Sequence, residues 1–366
     1  MSEIYFKRTI CFCNKRITKT FSCDWFQIIP LETYINSEIK TNHFPFILEY
    51  KVNKENINYY SYEDILDNSE DSTKKMLSEM NSEYFIMIYI LKLLSTITNF
   101  YFFSYNSNDQ GWFVNLDGKT EDDLFCKYGV KIYFDKKLKD KMFISEFSKV
   151  DIEEMELQNH SNYFTAPDID NENNGEVTLG HHTALFFDLL NELDDLQKQY
   201  FDSAITLIYN GQDIREKMKS LAFLAFISSI ETMTTLEGKL NGEKIIFECN
   251  SCQYYIKESN YNCKKCGKPI WGISQKIKLY LEKYLSKDER FKTVINKLYG
   301  RRSKIAHTGN LLSGDLFFDW DNPKERENQN NELIAAMQYS KMSIINYVLI
   351  NGTEKREKVK NTLISV

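Results

Sequence analysis

The chain has 366 residues, of which 42% are hydrophobic and 14% are aromatic, and its formal net charge at pH 7 is −6. This composition excludes an intrinsically disordered chain, and the length predicts two domains, each with its own core. A negative net charge also argues against general attraction to nucleic acid. Charged residues begin at position 3, and the most apolar run, residues 84–94, is too short to cross a bilayer. We therefore expect a cytoplasmic protein with no export signal and no membrane segment.

Residues 1–150 show the mixed pattern of an α+β domain. Alternating or aromatic-rich segments predict strands over residues 4–12, 44–52, 101–105, 111–115 and 130–134. Apolar residues at helical spacing predict one helix over residues 73–95. The cysteines of this region are Cys11, Cys13, Cys23 and Cys126. We interpret them as buried apolar side chains. The alternative is a metal site formed by Cys11, Cys13 and Cys23, but a single residue between Cys11 and Cys13 is poor spacing for zinc ligands.

Residues 151–180 are acidic and rich in asparagine, and we interpret them as a linker between domains. The region that follows, residues 181–366, has apolar residues at helical spacing, which predicts an all-α bundle. Its predicted helices are one long or two short helices over 181–209, an apolar central helix through LAFLAFISSI at 221–230, shorter helices at 273–285 and 291–299, and a closing helix at 331–350.

Local signals predict where these helices begin and end. Two capping-box pairs predict helix starts, and they are Asp213 with Glu216 and Ser286 with Glu289. Gly300 predicts a helix stop, followed by a fresh helix near Arg301 whose N-terminal amides would favour an anion. The pair Asn351-Gly352 predicts the end of the closing helix.

The strongest motif in the chain is a pair of Cys-x2-Cys knuckles formed by Cys249, Cys252, Cys263 and Cys266. Four thiolates at this spacing bind one Zn²⁺ tetrahedrally. With four cysteine ligands the metal has no open coordination position, so we predict one structural Zn²⁺ per chain. Disulfides are the alternative, which the lack of an export signal disfavours. The gap of ten residues fits a small two-stranded zinc ribbon over 245–272, inserted into the helical domain.

Basic residues are concentrated between Cys249 and His307. This window holds 14 Lys and Arg against 4 Asp and Glu, a balance of +10, which leaves −16 for the rest of the chain. Binding of a polyanion is therefore expected to be local. The alternative is that these lysines lie on solvated helix faces.

A second motif is the segment 298–309, which reads LYGRRSKIAHTG. Its residues Arg302 and His307 are five positions apart, or about 140° around an ideal helix. We expect them to converge only if a helix starts or bends between them, or if a second copy of the site faces the first. Glu231, near the end of the central helix, is costly to bury unless paired, and we expect an arginine of this motif to pair with it.

This motif and the segment 229–233, SIETM, resemble the HEPN superfamily of metal-independent ribonucleases, in particular its Apea-like branch. The resemblance covers residues 181–366. It implies a HEPN-like helical bundle and an endoribonuclease reaction in which the 2′-hydroxyl of RNA attacks the neighbouring phosphate. It also implies that His307 is the general acid or base and that Arg302 holds the phosphate.

The same resemblance implies supporting roles for two more residues. Glu231 would orient the arginine, and Ser303 would add a hydrogen bond, although family members more often carry Asn, Asp or His at that position. Arg301 is the alternative to Arg302 as the phosphate ligand, because it also precedes His307 at a suitable spacing.

The resemblance finally implies partners and a biological setting. HEPN ribonucleases bring two motifs together in a homodimer, act on RNA, and serve in bacterial defence against phage. The α+β domain would then be a sensor or regulatory domain that responds to a phage-derived trigger. Two alternatives stay open: a non-catalytic HEPN-like module that binds RNA, a nucleotide or a partner, and a zinc-ribbon adaptor in a larger assembly.

Overall fold

The structure is a computed structural model that describes residues 4–31, 44–53, 71–104, 124–126, 133–135, 143–158, 176–241, 247–249, 252, 254–256, 263–267, 272–316 and 322–364. The chain divides into two compact units, Met1–His181 and His182–Val366. The first contains an antiparallel sheet and the second is mostly helical. This confirms the predicted order of an α+β region followed by a helical region.

The first unit is built on one main sheet. The helix of this unit is α1 (Asp71–Ile97). The strands of the whole unit, of which six form the main sheet, are β1 (Ile4–Cys13), β2 (Phe21–Ser22), β3 (Phe26–Pro30), β4 (Phe44–Asn53), β5 (Phe102–Phe103), β6 (Leu124–Cys126), β7 (Tyr133–Asp135), β8 (Phe143–Ile144), β9 (Leu157–Gln158) and β10 (Leu179–Gly180). The main sheet has the order β2-β3-β4-β1-β5, and β8 also pairs with β1. β1 and β4 pair antiparallel along their whole length, from Ile4 opposite Asn53 to Cys13 opposite Phe44. Both are rich in the aromatic and β-branched residues that strands favour.

Several predicted elements of this unit are present. The strands over 4–12 and 44–52 and the helix over 73–95 are each found within two residues of their predicted bounds. The strand predicted over 101–105 is shorter, and the one predicted over 130–134 overlaps β7. The strand predicted over 111–115 lies outside the described residues.

Glu49 on β4 is a fully buried carboxylate in this sheet. It accepts hydrogen bonds from Nε of Arg8 at 2.8 Å and from the backbone amide of Ser148 at 2.8 Å. These bonds offset the cost of burying its charge and hold the segment after β8 on the sheet.

The cysteines of β1 are buried, as predicted, whereas Cys23, for which burial was also predicted, is only half-buried. Cys11 and Cys13 have no exposed surface, and burial raises the pKa of the Cys13 thiol to about 12. Among the described residues they take part in no metal-binding cluster. The side chain of Cys126 lies outside the described part of the chain.

The described parts of the predicted linker, residues 151–158 and 176–180, are bonded to the first unit. The backbone amide of Met155 donates to the carbonyl of Thr20 at 2.7 Å, and that of Val177 donates to Arg16 at 2.8 Å. β9 and β10 also pair with each other in parallel. These residues therefore belong to the first unit, which ends at His181.

The second unit contains α2 (His182–Leu190), α3 (Asp195–Ile214), α4 (Lys219–Asn241), the strands β11 (Phe247–Glu248) and β12 (Tyr255–Ile256), then α5 (Gly272–Tyr284), α6 (Glu289–Thr308) and α7 (Pro323–Ile364). α4 packs against α3, α5, α6 and α7, so it is the central helix that its apolar sequence predicts. Its buried apolar residues are Ala222, Phe223, Phe226, Ile227, Ile230, Met233 and Leu236.

Both predicted capping boxes are wrong. α3 runs through Asp213 to Ile214, and α4 begins at Lys219, where the carboxylate of Asp315 accepts from the amides of Lys219 and Ser220 at 2.7 Å each. α6 is capped by Asp288, which accepts from the amide of Arg290 at 2.6 Å. The cap of α4 therefore comes from the short 3-10 helix Ser313–Asp315, and Asp315 lies 96 residues after Lys219 in the chain.

Both glycine stops are also wrong. α6 continues through Gly300 and ends at Gly309, which has the left-handed φ of 64° that suits glycine. α7 continues through Gly352, where a Cβ would lie 2.8 Å from Cβ of Leu189 on α2. At this position glycine permits close helix packing and does not end the helix.

One described segment, Pro323–Glu357 of α7, is long and apolar enough to cross a membrane, with a mean hydropathy of 1.2 in its most apolar window. Within the unit, 61% of that window is buried. A core helix of a helical bundle passes the same test on length and composition.

Candidate functional site

The motif 298–309 lies in the second half of α6. This helix buries Ile295, Leu298 and Ile305 against the bundle. At 100° per residue, Arg302 then lies on the side that faces α4, and His307 lies on the solvent side. α6 ends at Thr308, directly after His307, and Gly309 caps it.

The ion pair expected between Glu231 and an arginine of the motif is present, and the arginine is Arg302. Nε of Arg302 lies 3.2 Å from Oε1 of Glu231, and Nη2 lies 3.4 Å from Oε2. Both side chains are mostly covered, with 24% and 19% of their surface exposed. The guanidinium carbon also lies 5.9 Å from the centroid of the Tyr299 ring. Glu231 and Tyr299 therefore fix the position of this arginine.

Arg302 and His307 converge within one chain. Nη1 of Arg302 lies 3.4 Å from Nε2 of His307. The expectation that convergence needs a helix start, a bend or a second copy is therefore wrong, because α6 is continuous between them. The arginine side chain is long enough to cross the small side chains of Ser303 and Ala306, which lie between them around the helix. Arginine only donates hydrogen bonds, so this contact is a hydrogen bond in the tautomer of His307 whose Nε2 carries no proton.

The side chain of Arg301 contacts two glutamates of α7 and not Glu231 or His307. Its Nε donates to Oε2 of Glu332 at 2.8 Å, and its Nη2 donates to Oε1 of Glu325 at 2.9 Å, both on α7. The hydrogen bond to Glu332 raises the pKa of Arg301, and only 15% of the side chain is exposed. Of the two candidate phosphate ligands, Arg302 is the one beside His307.

Ser303 lies four residues before His307, so both residues share one face of α6. Within the part of the chain that the structure describes, its hydroxyl makes no hydrogen bond. The anion site predicted at a helix N-terminus near Arg301 is absent, because α6 begins at Glu289, about 18 Å away along the helix axis.

The four cysteines of the knuckles lie close together. Their sulfur atoms all lie within 4.8 Å of one another, and two pairs, Cys249 with Cys266 and Cys252 with Cys263, are separated by 3.6 Å. Four sulfurs at about 2.3 Å from one zinc ion are about 3.8 Å apart, whereas a disulfide needs about 2.05 Å. The quartet can therefore bind a metal ion, and its geometry is compatible with zinc.

The backbone around the quartet forms the tight turns of two knuckles. β11 and β12 pair antiparallel, and the amide of Cys249 donates to the carbonyl of Tyr254 at 2.9 Å. The amide of Cys252 donates to Cys249 at 3.2 Å, and that of Gly267 donates to Cys263 at 2.7 Å. Gly267 has a φ of 71°, which an L side chain rarely adopts.

Many cations of the basic window are already paired. Lys283 pairs with Glu237, Lys292 pairs with Glu289, and Lys297 pairs with Glu332. Lys304 is exposed and makes no ion pair within the described chain. The positive charge available near His307 is therefore smaller than the count of basic residues indicates.

Some residues that shape the site are not recognisable in the sequence. Asp315, Glu325 and Glu332 hold α4, α6 and α7 together through contacts across the bundle. No local pattern marks them, because each partner lies more than 20 residues away. Tyr299 has a local signal, since it lies three residues before Arg302 on the same helix.

Comparison of the chain with protein-family models, with curated proteins and with solved structures finds no match. The resemblance to the HEPN superfamily thus stays a prediction from the sequence.

Proposed function

We propose that this chain is a metal-independent endoribonuclease of the HEPN type. The observation that carries the proposal is the arrangement of the Arg302 guanidinium between Glu231 and His307. Glu231 engages the edge formed by Nε and Nη2, at 3.2 and 3.4 Å. The edge formed by Nη1 and Nη2 remains for a phosphate, and Nη1 lies 3.4 Å from His307. This edge can donate two parallel hydrogen bonds to phosphate oxygens.

The reaction that fits this arrangement is transesterification of RNA. The ribose 2′-oxygen forms a bond to the adjacent phosphorus, and the bond from phosphorus to the 5′-oxygen of the next nucleotide breaks. Nε2 of His307 takes the proton of the 2′-hydroxyl while water protonates the leaving 5′-oxygen, or it supplies the proton to the 5′-oxygen while water accepts the one from the 2′-hydroxyl. Arg302 neutralises the charge that develops on the phosphate oxygens. The products are a 2′,3′-cyclic phosphate and a 5′-hydroxyl.

Two residues support these roles. Glu231 keeps the guanidinium oriented, and Ser303 presents a hydroxyl on the His307 face that can donate to a phosphate oxygen. Arg301 holds α6 on α7 through Glu325 and Glu332 and has no part in the chemistry.

The cysteine quartet is proposed to bind one Zn²⁺ per chain as a structural ion. Cys249, Cys252, Cys263 and Cys266 fill a tetrahedral coordination sphere, so the ion would close the small ribbon over residues 245–272. For a ribbon of this size, the free energy of metal binding is free energy of folding.

The wider setting is proposed from the resemblance. The chain would act in the cytoplasm as a homodimer on an RNA substrate, in bacterial defence against phage. The unit Met1–His181 would sense a phage-derived trigger.

One observation favours a second candidate, a HEPN-like module that binds RNA or a partner without cutting it. The ion pair with Glu231 offsets the charge of Arg302 in the free protein, so this arginine stabilises the extra charge that develops on a reacting phosphate less than an unpaired arginine would, whereas binding of RNA without cleavage does not need that stabilisation. The two candidates differ in whether the bound RNA is cut.

The experiment that separates them is an analysis of RNA ends. Purified protein is incubated with RNA in the presence of EDTA. The proposal predicts fragments with 2′,3′-cyclic phosphate and 5′-hydroxyl ends, because the nucleophile belongs to the substrate. RNA with a 2′-O-methyl group at the cut site should stay intact. Binding without any shortening of the RNA would favour the binding module, and 3′-hydroxyl ends would reject the proposed chemistry.

A further inference from the structure

The central helix α4 keeps one face open to solvent within the described chain. The side chains of this face recur at i, i+3, i+4 and i+7, so they form one line along the helix. The residues of the line are exposed or half-buried, and they are Leu221, Leu224, Ala225, Ser228, Thr232 and Thr235. Residues between them in the sequence, such as Phe223, Phe226 and Met233, are fully buried. We call this line of residues the open face of α4.

The open face carries no unpaired charge. Across residues 220–235 the only charged residue is Glu231, which lies at the edge of the face and pairs with Arg302. A helix that faces water usually has charged residues on its outer side, whereas a helix that is apolar all round is buried. The hydroxyls of Thr232 and Thr235 donate to carbonyls of α4 itself, at 2.8 and 2.9 Å. Covering the face would therefore leave neither donor unsatisfied.

Large apolar side chains cluster at the N-terminal end of this face. Two short contacts hold the segment after α6 beside the start of α4. The amide of Leu312 donates to Oγ of Ser220 at 2.8 Å, and the carboxylate of Asp315 accepts from the amide of Ser220 at 2.7 Å. The exposed members of the cluster are Met218 (50% exposed), Leu221 (50%), Leu311 (37%) and Leu316 (49%). Apolar side chains that cluster on a surface mark a site of interaction.

The open face is large at one end and small at the other, so its shape complements itself. Ser228 lies seven residues after Leu221 and seven residues before Thr235. If a second copy of α4 lies antiparallel across a two-fold axis at Ser228, Leu221 of each copy faces Thr235 of the other. Large side chains then pack against small ones at both ends of the contact. This match is a property of a second copy, and an uncharged face offers nothing to a charged partner.

The same axis places the two proposed sites on one side of the contact. The bonds from Arg302 to Glu231 and from Leu312 to Ser220 show that α6 runs antiparallel to α4 along one flank of the open face. A two-fold axis perpendicular to both copies of α4 keeps this flank on the same side in each copy. The Arg302 side chains of the two copies therefore open on a common side.

We propose that the open face of α4 is the surface through which two copies of this chain associate, antiparallel and centred on Ser228. The proposal rests on the proposed function, because the second copy is the homodimer proposed there. It adds which surface of the chain forms that homodimer and how the two helices are oriented.

The first test measures the molar mass of charge variants by sedimentation equilibrium. Leu221→Arg should weaken association by about tenfold or more, because each dimer loses two buried leucine side chains. Leu185→Arg is the matched control, since Leu185 on α2 is 48% exposed and lies away from the open face. It should keep the mass of the wild type, and both variants should keep the helix content of the wild type. Equal association of Leu221→Arg and the wild type would overturn the proposal.

The second test joins two copies with a short bismaleimide, which links cysteines that lie close together. Ser228→Cys should give a covalent dimer, because the two copies of residue 228 meet at the axis. Thr353→Cys is the matched control, because Thr353 is exposed on α7, which packs against the covered side of α4. It should give no more dimer than the wild type, whose own cysteines set the background. Equal yields from the two cysteine variants would contradict an axis at Ser228.

The two proposals can fail separately. A wild type that stays monomeric and cuts RNA would overturn this interface and leave the endoribonuclease in place. A dimer that is linked through Ser228→Cys and cuts no RNA would reject the endoribonuclease and support the interface. A dimer that is neither weakened by Leu221→Arg nor linked through Ser228→Cys would place the contact on another surface and overturn the proposal.

Discussion

Arg302 and His307 lie five residues apart on one unbroken helix, and their side chains nevertheless meet, with 3.4 Å between Nη1 and Nε2. The contact depends on the position of Arg302, which Glu231 holds from α4. The proposed site is therefore shared by two helices of one chain.

Glu231 is predicted to act through Arg302. Glu231→Gln should lower the cleavage rate by about tenfold, because an uncharged amide orients the guanidinium less firmly. In an Arg302→Ala background the same substitution should have almost no further effect, since residues that act as a unit are not additive. Cleavage rates of the two single variants and the double variant test this coupling. Additive losses would show that Glu231 acts independently of the arginine.

Arg301 is predicted to matter for stability. Arg301→Ala removes the hydrogen bonds to Glu332 and Glu325 but leaves Lys297 paired with the buried Glu332, so the unfolding free energy should fall by about 2 kcal/mol, the usual cost of losing hydrogen bonds to charged groups. Urea unfolding measures this loss. Below the melting transition the variant should still cut RNA at a rate within a few-fold of the wild type. A folded Arg301→Ala protein with no activity would make Arg301 the phosphate ligand.

One zinc ion per chain is predicted from the quartet. Metal analysis of the purified protein should find about one equivalent of zinc, and Cys266→Ser should lower both the zinc content and the melting temperature. Cys23→Ser is a matched control outside the quartet and should keep the zinc. A wild-type chain with much less than one equivalent, purified without chelators, would contradict the prediction.

The sequence predicts those elements of this architecture that depend on residues close together in the chain. The long strands β1 and β4 are rich in the aromatic and β-branched residues that favour strands, and they pair with each other along their whole length. The Cys-x2-Cys knuckles are close in the chain, so their approach needs only two tight turns. The central position of α4 follows from apolar residues around most of its surface.

Helix boundaries were less accessible, because distant contacts decide them. Gly300 and Gly352 both resemble helix ends, yet buried residues of the same helices, such as Leu298 and Ile305 in α6 and Val348 in α7, keep the chain helical at each of them. α4 begins where the carboxylate of Asp315, in the 3-10 helix Ser313–Asp315, accepts from its first amides. By contrast, the true start of α3 has a local signal, since Asp194 and Gln197 form a capping box.

Homodimerisation is a prediction that now rests on the resemblance and on the open face of α4. The separation of Arg302 and His307 no longer argues for a second copy, because the two side chains meet within one chain. Sedimentation equilibrium across the micromolar range should give twice the mass of 43.3 kDa. A monomer that cuts RNA at the full rate would show that one chain is sufficient for the chemistry.

The most direct measurement is the rate of RNA cleavage by the wild type, His307→Ala and His181→Ala under the same conditions with EDTA. The wild type and His181→Ala should cut at equal rates, because His181 lies outside the second unit. His307→Ala should be slower by on the order of 10²-fold or more with an unchanged melting temperature, since it lacks the group that moves the proton. Equal cleavage by all three proteins, or no cleavage by any of them, would contradict the assignment of this site as an endoribonuclease centre.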